Sequence, residues 1–241
     1  MRIIDAKWEK RNLGVECTEF EISSGEDIAE VKNLIQTYHT DYQIAKVPVG
    51  NVAIQLMLQE QGFYFYETNL QLERKIGSVE SLPHIYSRFE KSITFRDAED
   101  EEIEKILEEV ADGHMFTTDK VALDPHFSPE LSGRRYSLWA RDILKSGAKT
   151  VVGLYKGEVA SFTIYEIKDR YYQAFIGGML GGYRDMGLGF IPLYVTAKHI
   201  SQAGGGVLRT GVSSNNLAIL RLQLSFGAYI KSMTNIFVKH L

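Results

Sequence analysis

Arg184, Gly187 and Gly189 stand in the spacing R-x-x-G-x-G, after a strand-like apolar segment and before an amphipathic helical one. Two glycines let the backbone bend tightly there, so N–H groups of the loop and of the helix N-terminus converge on one spot. Unpaired donors at the positive end of a helix dipole attract phosphate. An arginine beside them adds a charge and a planar fork matched to phosphate oxygens. The same spacing also occurs as a plain strand-to-helix turn, so the surrounding elements must decide. A second group follows in Asn216-Leu217-Ala218-Ile219-Leu220-Arg221. Asn216 and Gln223 lie about two helical turns apart, so their side chains point the same way.

The elements that position these residues begin with a meander. Thr150 to Tyr155, Val159 to Glu166 and Tyr171 to Leu180 read as strands, joined by the short polar turns Lys156-Gly157-Glu158 and Lys168-Asp169-Arg170. Behind the glycine loop, Phe190, Leu193, Tyr194, Ala197 and Ile200 form the apolar face of a helix. Pro192 lies in its first turn, where a missing N–H costs little. Gly204-Gly205-Gly206 ends that helix; Val207 to Val212 is a strand, Asn216 to Phe226 a helix, and Tyr229 to Val238 a last strand.

Upstream, Ile93 to Arg96 is a short strand, and Ile103, Ile106, Leu107 and Val110 fall at helical spacing. Glu99, Glu101, Glu102 and Glu104 suit a solvated first turn favoured by the helix dipole. Residues 112–135 are irregular and polar, with Pro125 and Pro129, and a loop of that length is expected to be functional or disordered. Tyr136 to Lys145 is helical again. The first part of the chain alternates strands and helices: a helical stripe at Ile28, Val31, Ile35 and Tyr38, a strand from Asp41 to Val47, a helix from Val49 to Gln61, and an aromatic-rich strand from Phe63 to Leu72. Ile76 to Phe89 has no clean period and reads as a linker. A small α/β unit over 1–91 and a second unit over 92–241 are therefore expected.

Composition narrows the function. The 241 residues are 44% hydrophobic, with 27 basic and 31 acidic residues well mixed, enough for a substantial core and without the basic runs that bind nucleic acid. No apolar run is long enough for a bilayer, and Met1 to Asp5 lacks a signal peptide's apolar stretch, so a cytoplasmic setting without membrane partners is expected. The single cysteine, Cys17, sits in a strand-like stretch and reads as a buried inert thiol. Six scattered histidines without H-x-x-x-H spacing predict no dedicated metal site.

Meander, glycine loop, helix, strand, Asn-led helix and last strand is the order of the GNAT acyltransferase superfamily. Arg184-x-x-Gly187-x-Gly189 resembles its R/Q-x-x-G-x-G loop for the acetyl-CoA pyrophosphate, and Asn216 to Leu222 with Phe226-Gly227-Ala228 resembles its N-x-x-A/I-x-x-L-Y-x-x-x-G helix. Trp8-Glu9 with Leu13-Gly14-Val15, and Asp124-Pro125 with Gly133, Arg135, Tyr136 and Trp139, are similar to segments of the TDP-fucosamine acetyltransferase branch. The resemblance implies a GNAT fold with a mixed central sheet, a meander and flanking helices beside a small N-terminal α/β domain. It implies an N-acetyltransferase with acetyl-CoA as co-substrate and a small-molecule amine acceptor, first a nucleotide-linked amino sugar, joined in a ternary complex without a covalent enzyme intermediate. A homodimer is left open.

The resemblance also assigns positions. Met179, Leu180 and Gly181 stand at the strand end that pairs with the pantetheine arm; Arg184, Asp185, Met186, Gly187, Leu188 and Gly189 make the pyrophosphate loop; Asn216 and Gln223 face the arm and the sulfur. Gln223 stands where the family has its acid tyrosine, and an amide supplies hydrogen bonds but no proton. Tyr194 or Tyr229 is the expected substitute, unless the thiolate leaves unaided. Glu166, Asp124 and His126 are base candidates by location alone, and Arg134 and Arg135 are candidates for a diphosphate. Tyr136 and Trp139 share a helix face, read first as core and second as a stacking surface. A peptide α-amine or another small amine is the alternative acceptor, and a non-catalytic CoA-binding module is the alternative class. A P-loop or Rossmann site is excluded, because no Gly-Lys-Ser/Thr follows the glycines and a meander precedes them.

Overall fold

The computed structural model describes residues 1–169 and 171–241, so Arg170 of the expected turn lies outside the described residues. The order is β1 (Arg2–Asp5), α1 (Lys7–Asn12), β2 (Cys17–Glu21), α2 (Ile28–Ile35), β3 (Tyr42–Pro48), α3 (Val52–Glu60), β4 (Tyr64–Ile76), β5 (Ile93–Asp97) and α4 (Asp100–Ala111). Then follow α5 (Pro129–Lys145), β6 (Lys149–Tyr155), β7 (Glu158–Lys168), β8 (Tyr171–Met179), α6 (Ile191–Gln202), β9 (Gly206–Ser213), α7 (Leu217–Ser225) and β10 (Tyr229–His240). The described strands form one mixed ten-stranded sheet in the order β1-β2-β3-β10-β4-β9-β8-β7-β6-β5.

Strands β6 to β8 are the expected antiparallel meander, and β5 pairs antiparallel with β6 at its edge. β4 inserts between β9 and β10, antiparallel to both, and β10 in turn pairs with β3. Strands from both sides of residue 91 thus share one hydrogen-bonded sheet, with the 3₁₀ helix His84–Ser92 leading from β4 into β5.

Alternation along the strands sends neighbouring residues to opposite faces. Val151, Tyr165 and Met179 pack on one face with Leu188, Ile191, Tyr194 and Phe226 of the loop, α6 and the end of α7. Val152, Ile164 and Leu180 pack on the other with Ile106, Leu107 and Val110 of α4 and Ala140 of α5.

Two departures from the sequence reading bear on function. α5 begins at Pro129, well inside the expected long loop: Ser128 caps it by accepting from the Leu131 N–H (3.3 Å), and Pro129 occupies the first turn. α1 was not expected either, and it holds α5. The Glu9 carboxylate, fully buried, takes a forked pair from Arg135 (Nη2 to Oε1 2.6 Å, Nε to Oε1 2.8 Å). Gly133 lets the α5 backbone press on the end of α4, since a Cβ there would sit 2.3 Å from the Gly113 nitrogen. The resemblance residues Trp8-Glu9 and Gly133-Arg134-Arg135 are in this respect a clamp between the chain's beginning and its middle.

Candidate active site

β8 and β9 pair in parallel only from Tyr171 opposite Val207 to Ala174 opposite Thr210, although β8 continues to Met179 and β9 to Ser213. The cause is local. Ile164 pairs with Ile176 and Tyr165 with Ala174, so Phe175 is an extra residue, a bulge that bends β8 away from β9. The strands splay and a cleft of about 990 Å³ opens between them. Its lining comes from both faces of the sheet. Gly189, Pro192, Leu193 and Thr196, with Asn216, Ile219 and Gln223, contribute from the α6 and α7 side, and Trp8, Phe116, Arg135, Tyr136 and Trp139 from the α1 and α5 side. The cleft therefore passes through the sheet.

Along β8 the Leu180 N–H bonds the Ala160 carbonyl at 2.8 Å. Strand alternation then turns the N–H groups of Gly177 and Met179 away from β7, into the split. Of the three strand-end residues expected to meet a pantetheine arm, Met179 lines the cleft. The other two have engaged N–H groups: Leu180 as above, and Gly181, which donates to Glu109 Oε1 at 2.6 Å.

The glycine loop runs from a 3₁₀ turn at Gly181–Tyr183 to α6. The N–H groups of Gly187, Leu188 and Gly189 meet no protein acceptor among the described residues. Gly187 has φ +70, a left-handed conformation that glycine adopts freely. Gly189 has neither a positive φ nor any atom within 4 Å of a built Cβ. Nothing in the fold requires glycine at 189; a group pressed against the backbone would. Leu188 turns its side chain into the core, while Asp185 and Met186 are exposed. Arg184 departs from expectation: its Nη2 is engaged by the Glu109 carboxylate of α4, and its Nε is buried without a partner. An anionic group of the protein thus already sits at the loop's arginine.

Asn216 caps α7 by accepting from the Ile219 N–H (3.2 Å), and it also faces the cleft. Gln223, 9% exposed, lines the same cleft from the same helix face. The expected substitute tyrosines are not there. The Tyr194 hydroxyl donates to Glu90 Oε1 (2.9 Å) and that of Tyr229 to Glu73 Oε2 (2.8 Å), and neither residue lines the cleft. Tyr136 does. Burial, then the neighbouring Asp119, push its hydroxyl well above the usual tyrosine range, so it stays protonated.

The far end of the cleft has aromatic walls: the Phe116 and Tyr136 rings stack at 4.5 Å, and Trp139 meets Phe175 of the bulge edge-on at 6.1 Å. Tyr136 and Trp139 thus face the cleft, and Tyr136 also packs on the core beneath α4 and α5, the role read first. Arg135 is held by the Glu9 carboxylate, whereas Arg134 is exposed and donates one N–H, from Nη2, to the Arg11 carbonyl (2.6 Å). Lys46 pairs with Glu19 (2.5 Å), leaving Lys120 as a cleft cation without a salt bridge among the described residues. Of the base candidates, Glu166 pairs with Lys168, and Asp124 and His126 lie with His240 outside the cleft.

Glu67 is the residue that sequence reasoning missed. It follows the strand alternation Glu67, Asn69, Gln71, and all three line the cleft while Leu70 and Leu72 turn to the core. Glu67 is 4% exposed, and its Oε2 has no hydrogen-bond partner. Burial raises its pKa above the ordinary carboxylate value, opposed by Lys120 and Ser213. A polar-apolar alternation in a strand between apolar neighbours was the available signal.

No protein-family model matches the chain, and no curated protein sequence matches it. Solved structures do. A GCN5-related N-acetyltransferase from Sphaerobacter thermophilus superposes with a TM-score of 0.55 at 12% identity over 83% of this chain, which spans 59% of that longer structure. A GCN5-related N-acetyltransferase from Kribbella flavida gives 0.53 at 15% identity, over 93% of this chain and 81% of that one. A tandem GNAT protein from the clavulanic acid biosynthesis pathway gives 0.53 at 9% identity, over 88% and 68%. The mixed sheet with its meander and flanking helices thus has the fold of these GNAT structures.

Proposed function

We propose that this chain transfers an acetyl group from acetyl-CoA to the amine of a nucleotide-linked amino sugar, by direct attack in a ternary complex. The observation that carries the proposal is a cleft through the sheet, with loop amides unpartnered among the described residues by its mouth and a buried carboxylate at its far side, one of whose oxygens has no partner among the described residues. In this reading the amides of Gly187 to Gly189 hold the CoA pyrophosphate, and the outward edge of β8 at Gly177 and Met179 holds the pantetheine arm. The Met179 N–H, fixed before the substrate arrives, stabilises the oxyanion that develops as the amine attacks. Glu67 takes the proton that the amine must lose, directly or through water; a carboxylate raised by burial is suited to that transfer. Gln223 offers its NH₂ to the departing sulfur, which leaves as a thiolate or takes its proton from water.

Phe116, Tyr136 and Trp139 give flat faces for a sugar or base, and Lys120 a charge for phosphate. The resemblance to the TDP-fucosamine branch points the same way. A second acceptor class, a peptide α-amine or other small amine, is favoured by the pairing of Arg135 with Glu9. The test is thiol release from acetyl-CoA against thymidine- and uridine-diphosphate amino sugars, simple amines and short peptides. Turnover with a sugar nucleotide at least about tenfold above the others in kcat/KM supports the proposal, and turnover only with the others replaces the acceptor. CoA binding without turnover of any acceptor removes the enzyme reading.

A further inference from the structure

The turn that leads β8 into the glycine loop is closed by a side chain from another element. Gly181 and Arg184 stand at the two ends of the 3₁₀ turn Gly181–Tyr183. One oxygen, Glu109 Oε1 of α4, accepts from both, from the Gly181 N–H at 2.6 Å and from Arg184 Nη2. The turn is also pinned independently, because the Tyr183 hydroxyl donates to Glu158 Oε2 at 2.7 Å.

The arginine is only half served by this arrangement. Nε and Nη2 lie on one edge of a planar guanidinium, and that edge matches two oxygens of a carboxylate or phosphate. Arg135 shows the satisfied form, with both nitrogens donating to Glu9. In Arg184, Nη2 has the Glu109 oxygen, while Nε is buried without a partner among the described residues. A buried donor without an acceptor loses the bonds that water gave it, so a pose that used both nitrogens would be the better one. Glu109 is the one salt-bridge partner of Arg184 among the described residues, and Arg184 is the single cation between Gly181 and Gly189. The two side chains are 25% and 27% exposed, so the pair can part without opening the core. Arg184 does not line the cleft, which takes Gly189 from the loop.

We propose, on the reading of the glycine loop as the CoA pyrophosphate site, that Glu109 is a built-in competitor for that pyrophosphate. Its carboxylate holds Nη2 where a phosphate oxygen would bind. An arriving pyrophosphate takes Nε and Nη2 together, Glu109 turns to solvent, and the exposed Gly181 passes its N–H to water. When CoA leaves after transfer, Glu109 recaptures Arg184. Glu109 thus touches no reacting atom; it sets donor affinity and eases product release through Arg184.

The experiment is calorimetric titration of CoA into the full chain as wild type, Glu109→Gln, Arg184→Gln and the double variant. Glutamine keeps an oxygen for the Gly181 N–H and removes the charge, so circular dichroism should not change. Glu109→Gln should bind CoA about two- to fivefold tighter than wild type, the scale of a partly exposed ion pair. Arg184→Gln should weaken CoA more in the Glu109→Gln background than in wild type, because the guanidinium there is given wholly to the donor. A carboxylate that merely props the loop gives the opposite signs, with weaker binding in Glu109→Gln and a smaller cost for Arg184→Gln. Those signs overturn the proposal, and so does unchanged affinity; in either case CoA binding to wild type leaves the donor reading standing. No CoA binding by any of the four chains overturns both. If Glu109→Gln does not fold, the Arg184 Nε–H resonance of ¹⁵N-labelled wild type decides. It should move on addition of CoA, and an unmoved resonance in the CoA-bound chain overturns the competition.

Discussion

Replacing Glu67 by glutamine tests the chemistry at its least substitutable point. The side chains have nearly the same shape, so the walls of the cleft, Phe116, Tyr136 and Trp139 among them, keep their positions and the acceptor's KM should hold. What is lost is the proton acceptor. General-base catalysis is worth about 10²–10⁴-fold, or about 2.7–5.4 kcal/mol of barrier, and kcat should fall by that factor in the thiol-release assay. Stability should move the other way. Burial raises the folded-state pKa of Glu67 above its ordinary value of 4.5, so the folded state holds that proton more tightly than the unfolded state. Ionising Glu67 therefore costs stability as pH rises through that range, and the cost is absent below the unfolded value. Denaturant unfolding should find Glu67→Gln more stable than wild type at about pH 7 and equal to it at about pH 4. The acid limb of the wild-type pH–rate profile should vanish in the variant. A kcat within about threefold of wild type, in a folded variant, would refute Glu67 as the base. A variant both inactive and destabilised at neutral pH would show that the carboxylate is structural.

Three further outcomes follow from named contacts. Gly189→Ala adds a Cβ into open space, so the fold should persist while the CoA dissociation constant rises roughly ten- to 150-fold, the loss of about 1.5–3 kcal/mol of charge-assisted hydrogen bonding; unchanged affinity by calorimetry takes the loop out of the donor site. Gln223→Tyr should raise kcat, by up to about a hundredfold where thiolate protonation limits the rate, whereas Tyr194→Phe and Tyr229→Phe should not alter kcat because both hydroxyls are engaged outside the cleft; a slowed Tyr194→Phe enzyme would contradict that geometry. Glu73, held down to about 2 by Lys231, then Tyr229 and Arg209, stabilises the fold above its ordinary 4.5, a contribution lost as pH falls toward 2; the urea midpoints of wild type and Glu73→Gln should converge across that window, and a constant gap would argue against the network.

Much of the second half of the fold was legible because its signals are local. The meander, the helix behind the glycine loop and the Asn-led helix each carry their own periodicity and stop residues, and Met179, Gly189, Asn216 and Gln223 line one cleft. The bulge at Phe175 was not legible: nothing in the residues from Tyr171 to Met179 distinguishes an inserted position, which exists only relative to Ile164 and Tyr165 on the partner strand. The start of α5 was legible and overlooked. Ser128 before Pro129 is a helix entry in its own right, and the polar composition around it masked the signal. The failure at Arg135 was of another kind. Its residue type fits a diphosphate, and its partner Glu9 is far off in sequence, so only tertiary structure could show that the guanidinium was already engaged.

Glu67 escaped notice for a reason that concerns the whole architecture. Read alone, β4 belongs to the first ninety or so residues and looks like the last strand of a small unit, where a lone glutamate on an aromatic-rich strand suggests a solvated face. In the folded chain β4 is an interior strand between β9 and β10. Asn69 pairs with Ser213 and Gln71 with Gly211, directly beside the split. The first part of the chain therefore supplies the cleft's far wall through β4, and through the α1 clamp on α5 it positions Tyr136 and Trp139. Severing a buried pair such as Glu9–Arg135 leaves an uncompensated charge at a cost of about 3–5 kcal/mol, a large part of a domain's stability. The glycine-loop end of the cleft uses short-range sequence signals, whereas the far end is assembled from strands and helices that meet only in the finished sheet. A family motif therefore marks the one and leaves the other to be found by burial and alternation.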